Sequence, residues 1–317
     1  MSDIFGRAWQ QFGGGMDPLR RSINGLETGG ASRYAHAAPS GDSPMDQQTP
    51  DSVQARYGEG AGPDRALEAT NPVLETLLGH RSIRAFTDAP LAEGTLETLV
   101  AAAQSAPTSS NLQAWSVVAV QEEGRRNRLA DLAARQNFIR QAPLFLCWIA
   151  DISRLTRLGE AHQTRMEGLD YLESFMVALV DAALAAQNAL VAAESLGLGT
   201  VYVGALRHHP EKVAAELALP PGGFAAFGLA VGHPAVQGAV KPRLPQSLVL
   251  HREQYGLAGE PEEIARYDGA LGAFSEAQGM GRQDWSQRMI SRVGTAAGLS
   301  GRHRMREALT ALGFPLK

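Results

Sequence analysis

The sequence predicts one apolar β-sheet covered on both faces by helices. Three observations point there. Four short runs, at 115–120, 144–150, 200–203 and 227–231, are apolar almost throughout, as in strands buried on both faces. Segments with helical apolar spacing outnumber them, which suits helices layered on a sheet. At 317 residues, with 44% hydrophobic and 20% charged side chains, the chain can bury a sizeable core.

Order is expected to begin near Asn71. Residues 1 to about 68 are rich in Gly, Ser, Pro, Gln and Asp and carry no sustained apolar period. Such a segment buries too little surface to offset its ordering entropy, so it reads as a mobile or disordered extension, with at most a short helix near Ile4–Phe12. Asp3, Asp17 and Glu27 argue against a transit peptide, and Met16 and Met45 are internal candidates for the initiator. From there on, Asn71-Pro72 reads as an N-cap with proline at the first helical position, followed by an apolar face of Val73, Leu74, Leu77 and Leu78. A second helix after Pro90 turns Leu91, Leu96, Leu99 and Val100 inward. The longest helix runs from about Asp170 to Ser195, where Leu172, Phe175, Met176, Leu179, Val180, Ala183 and Leu184 recur at helical spacing and Gly197 stops it. A helix that apolar calls for a partner surface, hence a homodimer. From Pro261 onward the chain reads as helices at 262–277, 285–293 and 303–312.

Charge and composition exclude several roles. A net charge of -4 argues against a general nucleic-acid binder, which needs a basic face. Cys147 is the only cysteine, so no intramolecular disulfide or thiolate metal cluster can form, and it reads as a small buried strand residue. No stretch of about 18 apolar residues is free of charge, and the N-terminus lacks the pattern of a secretory signal, which leaves the cytoplasm as the default compartment. His208-His209 are adjacent and diverge, with no third ligand evident, so no metal site is expected.

Three segments place polar and cationic residues where local structure does not ask for them. His80-Arg81-Ser82-Ile83-Arg84 closes the first helix with donors suited to grip an anion, although basic residues at a helix C-terminus also favour the dipole. Pro107 to Trp115 gathers Thr108, Ser109, Ser110, Asn111 and Gln113 just before a buried strand; it suits a polar ring or an ordinary turn equally. Lys241-Pro242-Arg243-Leu244-Pro245 holds two cations on an extended, proline-flanked segment in a chain with only three lysines.

As a set, in this order and spacing, these segments resemble the nitroreductase and flavin reductase superfamily, and most of all its larger, NADPH-preferring branch of oxygen-insensitive nitroreductases and NADPH-flavin oxidoreductases. Further landmarks are Ala186-Gln187-Asn188-Ala189-Leu190, Glu194 to Gly199 and Val201-Tyr202-Val203-Gly204. The resemblance runs from about residue 71 to the end. It implies an α+β fold with a mostly antiparallel sheet between helical layers, a dimer, FMN as cofactor and NADPH (or NADH) as co-substrate. It places His80, Arg81, Lys241 and Arg243 at the FMN phosphate with Ser82 beside them, and Arg84 near the pyrimidine edge. Thr108, Ser109 and Ser110 match a loop supplied by the partner subunit, Gln136 a ring-bonding glutamine, and Tyr202, Val203, Gly204, Ala205 and Leu206 the strand and turn lining the ring. The branch often has glycine where this chain has Ala205. Arg282 matches a basic residue that grips the NADPH phosphate.

Gly197-Leu198-Gly199 is no Rossmann fingerprint, because here helix precedes the glycines and strand follows. No acid–base or nucleophilic residues are expected, since a flavin carries the transfer itself. The implied reaction passes hydride from NADPH to a small acceptor such as a nitroaromatic, quinone or flavin. A flavin-binding redox sensor with little turnover, or a superfamily member of other chemistry such as reductive dehalogenation, stays open on the residues alone. Removal of residues 1–66 is expected to leave flavin content and turnover unchanged.

Overall fold

The computed structural model describes residues 49–57 and 71–317, all within the unit Pro44–Lys317. The helix expected near Ile4–Phe12 lies outside the described residues. All four apolar runs form strands: β1 (Trp115–Val120), β2 (Leu144–Asp151), β3 (Gly199–Val203) and β4 (Gly223–Gly232). They build one sheet in the order β1-β2-β4-β3, every pairing antiparallel. The helices of the first half are α1 (Thr49–Tyr57), α2 (Pro72–Leu78), α3 (Thr95–Gln104), α4 (Glu123–Leu132), α5 (Asn137–Gln141) and α6 (Ser153–Ala161). Those of the second are α7 (Leu172–Ser195), α8 (Pro210–Glu216), α9 (Glu260–Ala277), α10 (Trp285–Val293) and α11 (Met305–Ala311).

The expected two-sided cover is present, and β2 shows why its sequence has no polar alternation. All eight of its residues are buried. Because strand side chains alternate between faces, Phe145, Cys147 and Ile149 join one core with Leu129 of α4, Ile139 of α5 and Val213 of α8. Leu144, Leu146 and Trp148 join the other, against α3 and α7. Cys147 is fully buried, as expected, and burial drives its thiol pKa far above the ordinary range.

Helix α7 divides its faces by size. Ala178, Ala182, Ala185, Ala186, Ala189 and Ala193 are buried, which lets the helix lie close to the sheet and to α3. Leu172, Met176, Val180 and Leu184, spaced by four, are 39–55% exposed. This 24-residue helix is long and apolar enough to cross a membrane, but its alanine face packs in the core and it carries the buried Asp181. Its end is as expected: Gly197 takes φ +76° and Leu198 N–H returns to the Ala193 carbonyl at 3.0 Å.

Two expectations need correcting. The apolar face of α2 is not buried: Val73 is 58% and Leu77 42% exposed, since the seven-residue helix lies at the margin of the fold. Asn71 does cap it, accepting from Leu74 N–H at 3.0 Å. The segment read as structureless up to residue 68 contains α1. Its sequence carries no apolar helical stripe, and what fixes it is hydrogen bonding by Arg56 and not apolar burial.

Candidate functional site

Beyond α2 the chain turns extended and runs beside β3. Ile83 N–H donates to the Thr200 carbonyl at 2.8 Å and Ser82 bridges Thr200 in parallel. Ile83 is buried against Gly199, where an added Cβ would lie 2.9 Å from Ile83 Cγ1, so glycine is required there by close approach. Extended backbone then leaves Ser82 and Arg84 exposed while Ile83 faces in. His80 is oriented by Glu194 at the end of α7: Nδ1 lies 2.7 Å from Glu194 Oε1, which also accepts from Thr200 Oγ1 at 2.8 Å. That contact leaves Nε2 as the ring nitrogen open to a ligand. Arg81 enters a crevice of about 280 Å³ shared with Glu75, Glu194 and Gly199, and its buried Nε has no partner among the described residues.

The basic strap Lys241–Arg243 is held from beneath, with Pro242 buried and its carbonyl accepting from Tyr267 Oη at 2.9 Å. It comes together with the first segment, for Arg56 donates both to the His80 carbonyl at 2.9 Å and to the Lys241 carbonyl at 3.1 Å; the Lys241 pKa is lowered by burial and then by the charges of Arg288, Arg243 and Arg84. Among the described residues no carboxylate lies within ion-pair distance of Arg81, Arg84, Lys241, Arg243 or Arg288. Cations gathered with so little paired counter-charge, Glu194 being engaged by His80 and Thr200, repel one another, and a phosphate monoester offers both the charge and the oxygens to relieve them.

The ring-lining stretch follows β3 directly. The Tyr202 ring meets Phe227 edge-on at 5.3 Å, and its hydroxyl lies 3.4 Å from Gln187 Oε1. Val203, Ala205 and Leu206 belong to the core, so at these positions only backbone can face a ligand. The extra methyl of Ala205 is therefore accommodated inward. Gly204 is crowded by Arg207, whose Nη2 would be 3.1 Å from a Cβ and whose Nη1 is bonded to the Ala226 carbonyl. Gln136 is half-buried just before α5, after Ala134 and Arg135 at φ +60° and +57°.

The serine loop lies elsewhere. It is tied to α7 by Asp181, 1% exposed: Thr108 Oγ1 donates to Oδ2 at 2.6 Å, Ser109 N–H to Oδ1 at 3.2 Å and Ala114 N–H to Oδ2 at 3.1 Å. Ser110, Asn111 and Gln113 are left-handed at φ +48°, +55° and +48°, a strain that non-glycine residues bear where surroundings enforce it. Thr108 is thus spent inside the loop, while Ser109 and Ser110 are exposed, Ser109 beside Met176, Val180 and Leu184 and Ser110 beside Val177. The loop and the cationic clamp line no common cavity among those described. Arg282 lies between α9 and α10, its Nε 3.3 Å from Asp284 Oδ1 and its guanidinium over Gly272.

Four residues at these places were not singled out by sequence reading as site residues: Arg56, Asp181, Glu194 and Arg288. Two carried a signal. Asp181 is the only charge between Ser174 and Ala193, and Glu194 sits at a helix C-terminus, where the dipole disfavours an acid. Arg56 and Arg288 carried none.

Residues 77–233 match the model of the nitroreductase family, and residues 241–317 that of the nitroreductase family, C-terminal domain. The chain belongs to the nitroreductase family. It is 42% identical over 225 residues to a Bacillus subtilis protein named FMN reductase [NAD(P)H], covering 70% of this chain and 90% of the relative. To the oxygen-insensitive NADPH nitroreductase of Salmonella typhimurium it is 39% identical, covering 68% and 88%. Among solved structures, that of the hypothetical oxidoreductase YcnD from Bacillus subtilis superposes with a TM-score of 0.75 at 39% identity, over 78% of this chain and all of the other. The Vibrio harveyi NADPH:FMN oxidoreductase complexed with NAD+ gives 0.70 at 33% over the same shares. The nitroreductase-like α+β fold expected from the resemblance is therefore the one this family member has.

Proposed function

We propose that this nitroreductase-family protein is an FMN-dependent NAD(P)H oxidoreductase that serves small acceptors such as nitroaromatics, quinones or free flavin. The observation that carries the reading is the set of cations, drawn from two distant segments that Arg56 ties together, of which Arg81, Arg84, Lys241 and Arg243 have no carboxylate at ion-pair distance among the described residues. It fits a phosphate monoester at one end of a planar cofactor, and Arg81 Nε is a donor still unmet among the described residues. Bound FMN supplies the hydride chemistry, accepting from the nicotinamide and donating to the acceptor.

The protein's residues bind and orient. His80, Arg81, Lys241 and Arg243 hold the phosphate, with Ser82 beside them. Arg84 stands at the pyrimidine edge, where a cation stabilises the negative charge that arrives with hydride. The Tyr202–Leu206 backbone and Gln136 flank the ring. Arg282 meets the extra phosphate of NADPH. The relatives named for NADPH and for NAD(P)H both support a nicotinamide donor. The working unit is a homodimer joined along the exposed stripe of α7, which sets Ser109 and Ser110 at the partner's site. The cytoplasm, where both nucleotides are supplied, suits this activity.

The purified protein is expected to be yellow, to release FMN and not FAD on denaturation, and to oxidise NADPH in the presence of a quinone or nitroaromatic. Colourless protein that takes up no added FMN would refute the reading; flavin uptake with negligible turnover would make it a sensor.

A further inference from the structure

We infer that Arg56, on a helix outside the stretch matched to the family, is a positioning residue of the phosphate clamp. The inference rests on the FMN reading above. The match to the family model starts at residue 77, so α1 lies outside it. Yet it is docked on the clamp and nowhere random.

The Arg56 guanidinium spends its three nitrogens on main-chain carbonyls from both halves of the clamp. Nε and Nη2 donate to the Leu78 carbonyl at 3.1 and 2.6 Å, Nη2 also to the His80 carbonyl at 2.9 Å, and Nη1 to the Lys241 carbonyl at 3.1 Å. The return contact is made by backbone, Arg243 N–H to the Arg56 carbonyl at 2.8 Å. Beside it Gln246 Nε2 lies 3.3 Å from Tyr57 Oη. One side chain therefore joins the segment carrying His80 and Arg81 to the strap carrying Lys241 and Arg243. The planar fork of arginine suits this; a lysine point charge could not span the same three acceptors.

The charge has a second effect. Arg56 is buried, its guanidinium pKa is lowered by burial and then by the nearby Arg243, and Arg81 also acts on it. A cation held there, with all three nitrogens turned to carbonyls, adds positive potential behind the phosphate position without occupying it. Such preorganisation strengthens dianion binding because no reorientation is needed on association.

The experiment compares FMN with riboflavin, which lacks the phosphate, by fluorescence titration of full-length apo-protein. Arg56→Ala is expected to weaken FMN about tenfold, by loss of charge-assisted ties, with riboflavin affinity within twofold of wild type. A chain lacking residues 1–66, without α1, should show the same selective loss, which reverses the expectation from sequence alone that this truncation is silent, and one lacking residues 1–48 should not. Equal weakening of both flavins, or of neither, would overturn the role of Arg56. Arg243→Ala provides the separate check: if it too fails to distinguish FMN from riboflavin, the phosphate clamp itself is wrong; if it distinguishes them and Arg56→Ala does not, only the present inference falls.

Discussion

Asp181→Ala should destabilise the protein and release the serine loop, and the size of the effect can be worked from its three partners. Each donor gives a hydrogen bond to a carboxylate, about 1.5–3 kcal/mol apiece if counted alone. The three are not equivalent. Thr108 is only half-buried and Ser109 exposed, so both can turn to water, whereas Ala114 is 2% exposed and its N–H would be left unmet inside the protein. The net cost is therefore well below the sum, about 3 kcal/mol, at the lower end for breaking a buried charged contact. In a domain of this size that lowers the melting temperature by roughly 6–12 °C. Asp181→Asn keeps the shape but replaces one acceptor oxygen by a donor facing N–H and O–H groups, so it should recover little. The assay is thermal unfolding followed by circular dichroism, with limited proteolysis between Thr108 and Gln113 as the local readout. Wild-type melting and an uncut loop in Asp181→Asn would refute the claim that this carboxylate holds the loop.

Other outcomes follow from the same structure. Arg282→Ala should raise the Michaelis constant for NADPH and leave that for NADH unchanged, because only NADPH carries a 2′-phosphate; equal effects on both would make Arg282 a surface charge paired to Asp284. FMN affinity should fall as pH rises toward the lysine range, starting at a lower pH than an ordinary lysine would give, since Lys241 loses its proton early; Lys241→Arg should flatten the profile, and a flat wild-type profile against the riboflavin control would contradict this. In the apo-protein the sign is opposite: a depressed folded pKa means the unfolded chain binds more protons in that window, so this group's contribution to stability improves as pH rises through it. Val180→Asp, in the middle of the exposed α7 stripe, should yield a folded monomer by light scattering, and an unchanged dimer would move the interface elsewhere.

Sequence patterns revealed the sheet well and the small helices poorly, for physical reasons. Strands such as Leu144–Asp151 are buried on both sides, and nothing but a continuous apolar run satisfies that environment. Helix α4, Glu-Gly-Arg-Arg-Asn-Arg-Leu-Ala-Asp-Leu, buries only Leu129 and Ala130, too few positions to show a period. The helices α5, α6 and α8, of five, nine and seven residues, were not foreseen either. The two cationic segments stood out in the sequence and the family resemblance joined them, but the ties between them could not be read. Arg56 acts through backbone carbonyls, which every residue possesses, so its partners leave no mark in the sequence. Asp181 shows the converse: a charge alone in an apolar helix interior has to find donors, and it found the loop.

The two surfaces of one chain, cationic clamp and Asp181-anchored loop, have a consequence for concentration. When each half-site belongs to a different copy, complete sites scale with the square of the free chain and not with the amount of folded protein. Dilution should then silence the enzyme while circular dichroism still reports an intact fold. Two inactive variants, one damaged at Arg243 and one at Ser109 and Ser110, should restore activity when mixed, because half of the sites in the mixed pair inherit both undamaged parts.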